Sequence, residues 1–151
     1  MKLSNHNAQA LLLDINQDIE EYAEATVKAI IEDKNFDRLI YPPNGGLTDL
    51  EKAELYKLDN NEHLKNALKK VLADNTAGVI FNLLNLIDGT GAPKCKFDDW
   101  TGVKLIDEEP NSGADPFNDT LHHGLFEAYW DWRKFRGNKP WKLDTYEDSG
   151  L

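Results

Sequence analysis

The chain has 151 residues, 40% of them apolar and 29% charged, with 27 Asp and Glu against 17 Lys and Arg and a net charge of −10. A chain of this size buries a real core, and its four Trp and six Phe argue against disorder over most of its length. Acidic residues outnumber basic ones fourteen to nine over 1–75 and thirteen to eight over 76–151, so neither half is a basic arm for nucleic acid or anionic lipid.

A single cysteine, Cys95, excludes the disulfide framework of a small secreted domain. The start of the chain does not read as a signal peptide. Its apolar run, Ala10–Leu13, is short and is followed by Asp14, Asp18, Glu20 and Glu21. No stretch approaches the ~18 apolar residues of a membrane span. The expectation is a soluble cytoplasmic protein with one globular domain over 1–151. Residues 138–151 would form a tail that is packed on the body or partly mobile.

The first predicted element is a long amphipathic helix over 8–34. Leu11, Leu12, Ile15, Ile19, Tyr22, Ala23, Thr26 and Ile30 share one face, and Asp14, Asp18, Glu21, Glu24 and Lys28 share the other. Ser4 or Asn7 would cap its start. Pro42-Pro43-Asn44-Gly45-Gly46 breaks the chain. Thr48 and Glu51 have capping-box spacing, which starts a helix near Asp49 that runs to about Leu58. Asp59-Asn60-Asn61 interrupts it without the ligand spacing of a calcium loop. Leu64, Leu68, Val71 and Leu72 mark a further helix, and Asp74-Asn75-Thr76 reads as the next junction.

Residues 77–88 are apolar nearly all round, with Val79, Ile80, Phe81, Leu83, Leu84, Leu86 and Ile87, so this helix is expected at the centre of the core. Gly89 stands where a helix end takes a left-handed residue, and Pro93 prevents a quick restart. Gly89-Thr90-Gly91 carries neither phosphate-loop fingerprint and follows a helix instead of opening one, so no nucleotide cofactor is implied. After Pro93, partial alternation in "KCKFDDWTGVKLID" predicts a small β-hairpin near 94–107 with Cys95 as a buried thiol. A polar loop over 108–116 leads to a last helix that begins near Pro116 or Asp119 and ends at Arg136, with Gly137 as its stop. The fold is therefore expected to be mainly α, α+β in detail, with about five helices around 77–88.

Candidate sites are few. His122 and His123 are adjacent, so on a helix their rings diverge and cannot readily chelate one metal. His123 and Glu127 share a face and offer a weak two-ligand metal site, short of the three or four protein ligands zinc takes. Neither Cys95 nor the histidines lie in a catalytic motif. Two features remain. Ten carboxylates against three lysines lie between Asp88 and Asp131, mostly in loop or hairpin positions. Asp98, Asp99, Asp107, Glu108, Glu109 and Asp115 are the candidate contacts to a basic protein partner, with Trp100 as an aromatic anchor. The second feature is the aromatic helix "LFEAYWDWRKF". Leu121, Leu125, Ala128, Trp132 and Phe135 make its main stripe. Phe126 and Trp130 point away from that stripe, and packing under the hairpin and tail is favoured over exposure.

Three functions follow, in this order. The first is a small acidic binding protein, toxin-immunity-like, that neutralises a basic partner. The second is a hydrolase-like enzyme with a cryptic site near His122 and His123. The third is a structural or self-associating helical protein that uses the long first helix.

Overall fold

The computed structural model describes residues 3–39, 41, 46–94, 99–109 and 111–136. These are mainly helical. Among them are four α-helices and no strand: α1 Asn5–Val27, α2 Asp49–Tyr56, α3 Glu62–Asp88 and α4 Leu121–Phe135. A π-helical turn, Lys28–Glu32, continues α1. No helix among the described residues is long and apolar enough to cross a membrane. The described chain divides into two units, one of residues 3–19 and 75–136, the other of residues 20–74.

In the first unit, Ser4 begins α1 by accepting the Asn7 backbone N–H on its hydroxyl at 3.4 Å. The same residue pairs in an isolated antiparallel bridge with Pro116. Ala8, Leu12 and Ile19 of α1 are buried with Leu84 of α3 and with Leu121, Leu125 and Trp132 of α4. Close approach of α1 and α4 depends on two small or polar residues. A Cβ at Gly124 would stand 2.7 Å from Leu12 Cδ1, so any side chain there requires Leu12 to shift. The buried amide of Asn16 donates to Leu12 O and to Leu125 O, both at 2.9 Å, and joins the two helices. α3 ends in a Schellman motif. Gly89 takes φ +72°, Thr90 N–H donates to Asn85 O at 3.0 Å, and Gly89 N–H donates to Leu86 O at 3.4 Å.

In the second unit, Ala23, Val27, Ile31, Phe36 and Ala73 are buried. Thr48 and Glu51 form the full capping box at the start of α2. Asn61 caps α3, its side-chain oxygen accepting the N–H groups of His63 and Leu64 at 2.8 and 3.1 Å. Phe36 meets Tyr56 edge-to-face at 5.2 Å. Lys65, nearly buried, pairs with Glu32 at 2.9 Å and with Glu62. The Glu32 carboxylate holds the Lys65 ammonium above its ordinary value, and Lys65 holds Glu32 below its own.

Several expectations are corrected. Among the described residues there are four α-helices where about five were expected, because Asp74-Asn75-Thr76 does not interrupt α3. These three residues are only modest helix formers, but none is Gly or Pro. The 77–88 segment is not a central buried helix. Only Leu84 is buried there, while Val79 is 63% and Leu83 50% exposed. One face of the segment is covered, and among the described residues nothing covers the other. No β-hairpin is present in the described part of 94–107; residues 99–106 are exposed and make no backbone ladder. α1 buries a face rotated from the one expected. Asn16 and Glu20 are inside, while Tyr22 is 69% exposed. The expected Cys95 thiol, Asp98, the tail 138–151 and the Gly137 stop lie outside the described residues.

Candidate functional site

The candidate surface is built on the start of α1 in the first unit. Asp107 is buried and turned inward. It accepts the Ser4 backbone N–H at 3.1 and 3.2 Å, the Ser4 hydroxyl at 3.2 Å and the Asn7 side-chain amide at 2.7 Å. The Asn7 amide first, then the Ser4 N–H, hold its carboxyl below the ordinary aspartate value against the opposing cost of burial. Eight residues on, the chain returns to the same place. Asn5 N–H donates to Asp115 O at 2.8 Å, and Phe117 N–H donates to Leu3 O at 3.0 Å. The loop that starts at Glu108 is thus tied at both ends to one helix N-terminus. Between the ties, Glu108 and Glu109 are exposed, and Asn111 makes a turn by accepting the Ala114 N–H on its backbone oxygen at 3.1 Å.

Asp99 and Trp100 stand on the segment that leads into this anchor. Trp100 is 41% exposed, and Val103, Leu105 and Ile106 are exposed beside it. Lys104 and Leu105 also line a cleft of about 250 Å³ together with Ile87, Asp88 and Leu121. The structure therefore brings Asp107, Glu108, Glu109 and Asp115 together around the start of α1. It leaves Asp99 and Trp100 on the adjoining irregular stretch. Asp107 is an anchor rather than a presented charge, and the side chain of Asp115 is exposed while its carbonyl does the tying.

The histidines form a different arrangement. Asp88, at the end of α3, accepts the backbone N–H groups of Leu121 and His122 at 3.1 and 3.0 Å. It also bonds His122 Nδ1 at 2.7 Å. The α4 N-cap, Thr120, makes no side-chain cap bond, and its buried hydroxyl has no partner. Asp88 replaces it as a cap supplied from another helix, and its negative charge suits the helix N-terminus. With an acceptor on Nδ1, the neutral imidazole carries its proton there. The His122 ring packs edge-on against Phe81 at 5.4 Å and lies 4.4 Å from the His123 ring. Among the described residues no hydroxyl or thiol bonds to it, and it does not line the 250 Å³ cleft. Asp88 orients the imidazole and itself lines that cleft. His123 faces Asp119 at 3.8 Å on the surface, with Glu127 also exposed. Among the described residues no three His, Cys, Asp or Glu side chains gather as a metal site.

Sequence reasoning missed the Asp88–His122 link and the anchoring role of Asp107. Both join residues more than thirty positions apart and carry no local signal. Compared with protein-family models, with curated proteins and with solved structures, the chain matches none significantly.

Proposed function

We propose that this protein is a binding protein that captures a basic protein partner through residues 99–115, in the manner of a toxin-immunity protein. One observation carries the reading: an acidic loop with exposed Glu108 and Glu109 is tied at both ends to α1, next to a segment that exposes Trp100, Val103, Leu105 and Ile106. Anchoring lowers the entropy lost when a loop is fixed by a partner. Carboxylates around apolar anchors give the composition of a rim around a contact centre. Residues 99–106 are exposed and make no backbone–backbone hydrogen bonds among the described residues.

The test is affinity capture at low salt with the wild-type chain and with a variant carrying Asp99→Asn, Glu108→Gln, Glu109→Gln and Asp115→Asn. The expected result is a strongly basic protein held by the wild type, weakened by salt and by the variant. Identical recovery by both chains rules the surface out.

A second reading, self-association, rests on α3. Residues 75–87 hold no charged side chain, although the protein as a whole is 29% charged, and Val79 and Leu83 are half or more exposed on that helix. An uncharged apolar face meets a second copy without like-charge repulsion. Multi-angle light scattering of the wild type and of Leu83→Glu decides it. A monomer in both samples rejects this reading.

A further inference from the structure

We propose a second binding site, independent of the partner-binding surface and contained within residues 21–39 of the second unit, for a small amphiphilic monocarboxylate. A pocket of about 400 Å³ lies there between the outer face of α1 with its π-helical turn and the chain from Asn35 to Leu39. That volume falls within the range of ligand pockets, roughly 300–1,000 Å³, and suits an apolar body of about eight to ten carbons.

The floor is a side of α1 and its π-helical turn that the fold leaves partly uncovered, with Tyr22 and Ala25 exposed and Ala29 and Ile30 half-buried. Tyr22 and Ile30 flank Ala25 and Ala29, whose small side chains, four residues apart, open the space. The wall is fixed in place by three anchors. Asn35 N–H donates to Ala29 O at 2.9 Å. The buried Phe36 ring sits against Tyr56. Lys34 takes φ +50°, a left-handed conformation unfavourable for a non-glycine residue, and its ammonium caps α2 by donating to Leu58 O at 2.7 Å and Leu55 O at 3.3 Å. A left-handed lysine and a π-turn, two irregular backbone features, thus adjoin one cavity. Such features persist where the surroundings fix them and are frequent at functional sites. The result is a pocket formed before any ligand arrives.

The rim chooses the ligand's polar end. Arg38 is exposed and, among the described residues, makes no ion pair or hydrogen bond, although acidic residues outnumber basic ones 27 to 17. The side-chain oxygen of Asn35 is used by the Asp37 N–H at 2.9 Å, which leaves its amide nitrogen to donate. The Tyr22 and Thr26 hydroxyls that also line the pocket can donate or accept, so the Arg38 charge sets the preference, and the complementary group is an anionic acceptor. A guanidinium binds a carboxylate through two parallel bonds. Glu21 also lines the rim and is already engaged, and its charge disfavours a dianion.

The test is titration of the full chain with sodium octanoate and, separately, with 1-octanol, followed by calorimetry and amide NMR shifts. Octanoate is expected to bind once per chain, to shift Ala25, Ala29 and Arg38, and to bind more tightly than octanol. Arg38→Gln should weaken octanoate roughly tenfold and leave octanol unchanged. Ala29→Leu should abolish both. If it fails to fold, the exposed Ala25→Leu serves in its place. No binding at millimolar octanoate, shifts confined to other residues, equal affinity for the alcohol, or an Arg38→Gln variant that binds octanoate as the wild type does would each overturn the proposal.

Discussion

Removal of the Asp88 side chain tests how the first unit is locked. In Asp88→Ala, the N–H groups of Leu121 and His122 lose their acceptor at the start of α4, and His122 Nδ1 loses its partner. Asp88 is one-tenth exposed and His122 slightly less, so water does not fully replace what is lost. A part-buried N–H left unpaired costs about 1–3 kcal/mol, and loss of a charge at a helix N-terminus adds about 0.3–1. The Thr120 hydroxyl can turn to recover one bond, so the net expectation is about 2–5 kcal/mol. Asp88→Asn keeps one acceptor oxygen and should lose about half as much. Urea unfolding followed by tryptophan fluorescence is the assay, since Trp100, Trp130 and Trp132 all belong to the first unit. A midpoint for Asp88→Ala that corresponds to less than about 0.5 kcal/mol would show that α4 is capped in some other way, and the reasoning would fail.

Leu84→Ala should cost about 2–5 kcal/mol by opening a cavity, while Leu83→Ala, one position earlier but half exposed, should cost under about 1 kcal/mol in the same denaturation series. Gly89→Val should destabilise by about 1–2 kcal/mol, because φ +72° is a conformation a β-branched residue resists; a thermal melt within error of wild type would contradict this. Gly124→Val should lose about 1–3 kcal/mol by driving Leu12 out of place, measurable by chemical denaturation. The Asp107 carboxyl is depressed in the folded state, so its contribution is full above the unfolded aspartate value, near pH ~4, and is lost as pH falls through the lower folded value. Asp107→Asn should therefore reduce stability at neutral pH and flatten the acid limb of a stability–pH curve, and an unchanged acid limb would count against the anchor.

What the sequence made legible was punctuation. The Thr48–Glu51 box, the Asn61 region, the Ser4 cap and the left-handed Gly89 are all local, and each is found where its residue type allows it. Apolar periodicity served less well. On α1 the richest stripe contains Tyr22 and Ile30, yet the fold buries the side with Asn16 and Glu20, because Asn16 satisfies two carbonyls on two helices at once. A polar residue that is fully paired is as much a core residue as a leucine, and no hydrophobicity pattern registers that. The 77–88 segment fails in the opposite sense. Apolar residues all round a helix imply full burial only if enough elements exist to surround it. Phe126 and Trp130 illustrate the same limit. Both are exposed where packing was expected, although Phe126 lies 5.6 Å from Phe81 and the Arg133 guanidinium stands 5.8 Å from the Trp130 ring.

Of the proposed contacts, Asp107 therefore has a different part from its neighbours. Glu108 and Glu109 are exposed and act on encounter, where long-range attraction to a basic partner raises the association rate and salt suppresses it. Asp107 is spent internally, on Ser4 and Asn7, and its loss would free one end of the loop while leaving the Asn5–Asp115 tie intact. Two variants then separate steering from preorganisation. Glu108→Gln with Glu109→Gln should slow association and flatten its salt dependence. Asp107→Asn should leave that salt dependence nearly unchanged and weaken binding mainly through faster dissociation, because a loop tied at one end opens more readily from the bound state. Equal effects of both variants on the association rate would mean that Asp107 acts as one more surface charge, which its burial and its four hydrogen bonds argue against.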